Sequence, residues 1–309
     1  MVPASAFGLG PELVTTAGTW TRAGKTVRFV PRFGPVAGSA FVLIGRADHR
    51  SHPWRELARF AVPEAEHTPT TIVESIDPTV DTVPANLLRF SVTFSAEMEE
   101  GSATGNVRVL DESGAEVLGA LLEMPPELWD RSRRRLTVLL EPGRIKRGLQ
   151  PNVQAGAPLQ EGGSVTVVVG SAIRDSGGAQ LKAEARRKFH VGAPIRSRVD
   201  PARWDVRWPD GRTDPVVVLF DRALDRALVG RYLGVVDPSG HPVPGTATLA
   251  EDARQWVFDP AENLADPRLR VDARLEDLAG NSVRRVFDRD LSHPQDDGIE
   301  TQELFLGRP

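Results

Sequence analysis

Five basic residues, Arg133, Arg135, Arg144, Lys146 and Arg147, crowd into one stretch, RRRLTVLLEPGRIKRGLQPN (133–152). With Arg131 and Arg134, the span Asp130–Arg147 carries seven basic residues against Asp130 and Glu141, so 7 − 2 = +5 in a chain of net charge −4. Clustered guanidinium and ammonium groups bind phosphate, sulfate or carboxylate through charge-assisted hydrogen bonds. The five residues are therefore candidates for an anion- or partner-binding patch. The segment after the strand, 143–163, has no evident secondary structure, and unstructured loops beyond about 12–15 residues are often functional. The competing reading is a solvated rim whose arginines pair with acids of a neighbouring domain. Nucleic acid is a poor fit as ligand. No aromatic residues interleave with the basic ones, and the whole chain is acidic, with a pI of about 5.9.

Other residues with metal or catalytic chemistry are sparse. In DHRSHPW, Asp48, His49 and His52 could approach zinc or copper, but an i, i+3 histidine pair on a loop gives two ligands and an uncertain third. The acidic turns RDSGG at Asp175 and EDLAGN at Asp277 suggest calcium only weakly, since a calcium site needs six or more oxygens. A turn with positive φ at Gly280 or Asn281 explains the second equally well. Six histidines, His49, His52, His67, His190, His241 and His293, single out no serine, and no G-x-S-x-G motif occurs. Six tryptophans, Trp20, Trp54, Trp129, Trp204, Trp208 and Trp256, could stack on sugar rings. They read first as core or interdomain wedges, Trp256 inside a strand and Trp204 and Trp208 flanking a domain start. The chain has no cysteine, which excludes disulfides, thiolate catalysis and cysteine zinc sites. No catalytic, cofactor-binding or metal residue is assigned, and no cofactor is expected.

The elements that must carry these residues read as strands. The 309 residues include 25 Pro and 28 Gly with 40% hydrophobic content, a profile of many turns and few long helices. In RLTVLLE, Leu136, Val138 and Leu140 alternate with Arg135, Thr137 and Glu141, with Leu139 the exception. VTVVVG and VVVLF are apolar on both faces, as central strands are. PELWDRSR (126–133) reads as a helical or 3₁₀ turn, and DRALDRALVGRYL (221–233) has helical spacing. The N-terminal MVPASAFGLGPEL lacks the basic and apolar regions of a signal peptide, and no apolar run is long enough for a membrane span.

One pattern repeats three times. KTVRFVP ends at Pro31, RLTVLLEP at Pro142 and RQWVFDP at Pro260. Downstream lie Asp48, Asp175 and Asp277, and each block closes on a short aromatic strand: LARFAVP, RRKFHVG and RRVFDRD. The proline-to-aspartate spacing is 48 − 31 = 277 − 260 = 17 in the outer copies and 175 − 142 = 33 in the middle one, which carries 16 extra residues. The second and third copies share an upstream half, LLRFSVTFSAEME with PVVVLFDRALD and VRVLDESGAEV with LGVVDPSGHPV. In it Asp111–Gly114 and Asp237–Gly240 read as hairpin turns with glycine in the left-handed region. The first copy lacks that half, as if the chain began part-way through a domain or opened on a half-sandwich leaning on the second.

LLRFSVTFSAEME…VRVLDESGAEV…RRRLTVLLEPGRIKRGLQPN…IRDSGGAQL resembles the bacterial Ig-like domain of surface-layer proteins. VVVLFDRALD…VVDPSGHPV…WVFDP…LEDLAGNSV resembles a second copy. The resemblance covers roughly residues 71–291. It implies an all-β chain of tandem Ig-like β-sandwich domains with a partial N-terminal β unit: 1–66 a half unit, 70–194 a sandwich with a long basic loop, 198–292 a sandwich, and 293–309 an acidic tail. It also implies an extracellular or periplasmic place, although this chain shows no leader. It implies no activity. The expected function is a non-enzymatic structural or protein-interaction module of the bacterial envelope. Its partner would be an unknown protein or envelope polysaccharide, without nucleic acid or membrane insertion. The alternatives are a ligand module for carbohydrate or anionic polymer, using the 143–163 loop or a tryptophan platform, and an enzyme with a site at a domain junction.

Overall fold

The alternating apolar runs become strands, and the Pro, Gly and Asp residues between them become turns. The computed structural model describes residues 1–7, 15–36, 38–45, 54–63, 68–208, 214–262, 266–289 and 300–308. The chain divides into two units, Met1–Thr68 and Pro69–Pro309. In the first, β1 (Val2–Pro3), β4 (Ala40–Gly45) and β5 (Arg55–Ala61) form an antiparallel sheet in the order β1-β4-β5, while β2 (Gly18–Ala23) and β3 (Thr26–Pro31) form a separate hairpin. Val2, Val42 and Ile44 make its small core. Trp20 meets Phe29 across the hairpin at 4.6 Å, and Phe41 stacks on Phe60 at 5.6 Å.

The second unit holds two hydrophobic clusters, each fed by two sheets. The first lies between β10 (Leu128–Trp129), β11 (Arg135–Leu139), β8 (Arg89–Phe94) and β6 (Val73–Asp77) on one side and β7 (Thr82–Pro84), β13 (Ala185–Gly192), β12 (Ser164–Val169) and β9 (Val107–Leu110) on the other. Phe90, Val92, Phe94 and Leu136 from one sheet meet Val109, Val167, Phe189 and Val191 from the other. The second cluster lies between β14 (Asp205–Arg207), β15 (Val216–Leu219), β18 (Gln255–Pro260) and β17 (Gly245–Leu249) and the sheet of β16 (Leu233–Val236), β19 (Arg268–Asp272) and β20 (Glu303–Leu306). Almost every pairing is antiparallel; β7 with β13 is parallel. The protein is all-β with a β-sandwich-type layering. Three short α-helices interrupt it among the described residues: α1 (Pro142–Ile145), α2 (Gln150–Ala155) and α3 (Arg226–Tyr232). The last falls where helical spacing is read in 221–233, and the first two occupy the extra segment of the middle copy.

Four aspartates open turns of one design. Oδ1 of Asp111, Asp175, Asp237 and Asp277 accepts the N–H groups two and four residues on. The glycine three residues on, Gly114, Gly178, Gly240 or Gly280, has φ of 85°, 86°, 86° or 76°. The carboxylate replaces the missing backbone acceptor and glycine takes the left-handed position. Asp130 opens a related turn, one residue longer and without glycine, its N–H donating to Arg135 O. Its Oδ1 accepts the Arg134 N–H, and Arg133 sits at φ 51°.

Three expectations change. The 126–133 segment forms no helical turn; Leu128 and Trp129 pair with Thr137 and Leu136, because the Trp129 ring is drawn to Phe94 at 5.6 Å. RRVFDRD forms no closing strand within its described residues 284–289, although RRKFHVG (186–192) does as part of β13. The equivalent place beside β19 is filled by β20, out of the segment expected to trail off as a tail, where Leu304 and Leu306 pack against the second cluster.

Gly280 and Gly114 separate the two demands on such a glycine. A Cβ on Gly114 meets nothing within 4 Å, whereas one on Gly280 lies 2.3 Å from Leu88 Cδ2. Gly114→Ala is expected to cost about 1–2 kcal/mol of left-handed strain, and Gly280→Ala about 3 kcal/mol or more because overpacking adds to that strain. Urea denaturation of both variants checks the ordering; equal losses would contradict it.

Candidate functional site

The five basic candidates separate into two groups at opposite ends of β11, about 16 Å of strand apart. Arg133 pairs with Glu97, and Arg135 donates from Nε and Nη2 to Ser91 Oγ at 3.2 and 2.8 Å. Beyond the strand, Arg144 turns inward and is only 7% exposed. Its Nε donates to Gly156 O at 3.0 Å, Nη1 to Leu118 O at 2.8 Å, and Nη2 to Ala155 O at 3.1 Å and Ala157 O at 3.4 Å. The guanidinium thus gathers carbonyls at the end of α2 and in the loop before Gly119, satisfying acceptors that would otherwise be orphaned. Lys146 lies over the Phe287 ring at 4.5 Å. Arg147 donates from its backbone N and from Nε to the Asp288 carboxylate at 2.9 and 3.0 Å, and Arg196 reaches the same carboxylate at 2.8 Å. Asp288 is 1% exposed. The sequence signals charge at these positions but not the carbonyl and carboxylate partners, which come from residues up to 141 positions away.

Those contacts belong to a larger junction between the two sandwiches. Leu88 N–H donates to Leu278 O at 3.0 Å, and its side chain faces Gly280. Next to it, Arg89 Nε meets Asp225 Oδ2 at 2.7 Å and its Nη2 meets Glu276 Oε2 at 2.5 Å. Asp225 also caps α3 by accepting the Ala227 and Leu228 N–H groups. Arg226 Nε faces Asp77 Oδ1 at 3.4 Å, and the Thr79 hydroxyl donates to Glu251 O. The connecting segment is tied on both sides: Asn86 Nδ2 and Asn281 Nδ2 donate to Ile195 O at 2.7 and 2.9 Å. The sequence reading missed Arg89, which lies inside an apolar run and looks like an ordinary outward strand residue.

Beside these ion pairs runs a cleft of about 190 Å³. Asp77, Arg89, Ser91, Arg135 and Thr137 line it from the first sandwich and Asp225 and Arg226 from the second, with Leu224 and Leu278 as apolar wall. It is a place where ionisable groups converge between the two hydrophobic clusters of the second unit.

The remaining candidates lie elsewhere. Asp48, His49, His52, His67 and His293 fall outside the described residues. Among the described residues no three His, Asp or Glu side chains gather as a metal site, and no helix is long and apolar enough to cross a membrane. The Asp175 carboxylate is engaged by its own turn and by the Thr71 hydroxyl at 2.7 Å. Trp256 is core, as read. Trp204 and Trp208 pack into the second cluster rather than between domains, Trp204 edge-on to Phe220 at 4.8 Å.

No family model and no curated protein is similar to the chain. Among solved structures it is similar to the S-layer protein SbsC, in the fragment 31–844 (14% identity, TM-score 0.29) and in domains 1–6 (16%, 0.28). Each match covers 65% of this chain but 23% of the other, so the chain spans less than a quarter of those structures. It is also similar to native alpha-2-macroglobulin from Escherichia coli, domains MG0-NIE-MG1, at 10% identity and TM-score 0.26, covering 65% of each chain.

The junction gives its aspartate an unusual acidity. Hydrogen bonds within their exposed turns hold Asp111 and Asp237 below the ordinary carboxylate value, the Ser113 hydroxyl leading for the first and the His241 N–H for the second. Burial instead pushes Asp277 up to about 6, against the pull of Asn281 and Arg222. A raised folded pKa means that the folded state holds this proton more tightly than the unfolded chain does. The contribution of Asp277 to stability is therefore greatest below about pH 4 and declines as pH rises through 6. Carbon-detected carboxyl titration is expected to find Asp277 with its midpoint near 6 and Asp111 and Asp237 below the ordinary carboxylate value. Separately, Arg144→Leu is expected to cost about 3 kcal/mol in chemical denaturation, because buried carbonyls lose their donor, while Lys146→Ala stays below about 1 kcal/mol.

Proposed function

We propose that the chain is a non-enzymatic structural or protein-interaction module of the bacterial envelope, built from a partial β unit at 1–66 and Ig-like sandwiches at 70–194 and 198–292, the last completed by β20. The observation that carries the reading is the use of charge at the junction. Arg89, Asp225, Glu276, Arg147, Arg196 and Asp288 are committed to holding one sandwich against the next. A basic patch meant for an external polyanion would leave its cations exposed and unpaired. Here Arg144 and Arg147 are consumed inside the chain, and the extra segment of the first sandwich serves as a bracket for the second. The envelope assignment follows from the Ig-like sequence pattern, with an unknown protein or an envelope polysaccharide as partner.

A fixed junction transmits load and orientation between domains; a loose one does not. Removing Arg89 leaves Asp225 and Glu276 facing each other without a cation. Arg89→Met is therefore expected to cost about 3 kcal/mol and to split the calorimetric melt of the 69–309 portion into separate transitions. Small-angle scattering of the same variant is expected to broaden relative to the unaltered chain. An unchanged melt and scattering profile would remove the structural reading of the junction. The envelope assignment is tested by fractionating the source cells and probing with antibody; a signal confined to cytosol rejects it.

A further inference from the structure

We propose that the junction cleft is a binding site for a small carboxylate, free or carried on an acidic sugar residue, anchored by Arg135. Three guanidinium groups line the cleft, and two of them are already neutralised: Arg89 by Asp225 and Glu276, and Arg226 by Asp77. Arg135 is different. Among the described residues it has no carboxylate at ion-pair distance, and its Nε and Nη2 share one neutral acceptor, Ser91 Oγ. Asp130, the nearest acid along the chain, is committed to the N–H groups of Arg134 and Arg135 and to the Ser132 hydroxyl. The opposite edge of the Arg135 fork, Nη1 with the second Nη2 hydrogen, makes no hydrogen bond among the described residues. A planar two-donor edge of this kind matches the two oxygens of a carboxylate.

Charge selects the class. Counting Glu276 behind Arg89, three arginines face three acids, 3 − 3 = 0, and all three acids are taken up by Arg89 and Arg226, which leaves Arg135 as the guanidinium of the cleft without a carboxylate partner among the described residues. A monoanion pairs with that one guanidinium, whereas the second charge of a dianion such as phosphate would be driven against the neighbouring acids. Thr137 stands two residues along β11 from Arg135, on the same face, and supplies a hydroxyl donor. Ser91 Oγ accepts from Arg135 and keeps its own proton to donate. Leu224 and Leu278 offer apolar surface to whatever carries the carboxylate. The walls come from both sandwiches, so a bound carboxylate also bridges the junction and stabilises it by linkage.

Calorimetric titration of the full chain with sodium acetate and with sodium glucuronate, at constant ionic strength set by chloride, tests this. Saturable binding is expected with Kd of about 1–10 mM, the range of one charged contact plus a hydroxyl. Arg135→Gln is expected to weaken it about tenfold or more, and Thr137→Val by a smaller factor, while the unliganded melting temperature of Thr137→Val moves by no more than about 2 °C. Equal binding of the two probes assigns the site to the carboxylate alone, and preference for glucuronate brings the sugar ring into contact; both support the site. Absence of saturable binding by either probe, undiminished binding in Arg135→Gln, or tighter binding of inorganic phosphate overturns it. None of those results bears on the structural reading of the junction, which Arg89→Met tests independently.

Discussion

The Asp277–Asn281 turn of the second sandwich is seated on Leu88 and Arg89 at the start of β8, and the rest of the second unit is arranged around that contact. Leu88 closes on Gly280 so tightly that no side chain fits, and Arg89 reaches past it to the acids of the second sandwich. Hydrophobic contact alone would let the two bodies slide. The backbone bond from Leu88 N–H to Leu278 O and the Asn86 and Asn281 bonds to Ile195 fix register as well as proximity. The ion pairs then make that register costly to leave, since separating them exposes uncompensated charge in a poorly solvated gap.

This constraint explains why the repeat is imperfect. RRKFHVG and RRVFDRD are near matches, yet only the first lies in the sheet. In the second, Phe287 and Asp288 are diverted to Lys146, Arg147 and Arg196 at the junction. A strand cannot both run along β19 and place Asp288 there. The sheet position is filled instead from ELFL, residues 303–306. The extra segment of the first sandwich and the displaced strand of the second are thus two sides of one contact.

What could be read in the sequence follows the range of the forces involved. The aspartate turns were legible because donor, acceptor and glycine all lie within five residues. The strands were legible because a half-buried strand repeats every second residue and a central one is apolar throughout. Arg144 was not, since its acceptors are backbone carbonyls, which every residue possesses and no sequence displays. Arg89 was not, because its acids lie 136 and 187 residues away. The anion-binding expectation for 133–147 rested on charge density, and density does not tell a paired arginine from an unpaired one. Arg135 is distinguished from its neighbours only by what fails to reach it.

The two late turns of the unit show how one motif can be docked or left open. Asp175-Ser-Gly-Gly-Ala and Asp277-Leu-Ala-Gly-Asn share backbone geometry and hydrogen bonds. In the first, the residues after aspartate are small and polar, and Ser176 and Gly177 are exposed. In the second they are apolar, and Leu278, Ala279 and Asn281 are buried against the neighbouring sandwich. The aspartate fixes the shape of the turn, and the two residues after it decide whether that shape is presented to water or to a neighbouring sheet layer. Burying the second turn also removes water from its aspartate, which is why Asp277 is pushed towards neutrality while the exposed Asp111 and Asp237 are shifted the other way. Along this motif the local hydrogen bonds therefore set the shape and lower the carboxylate, and burial of the turn reverses the second effect without altering the first.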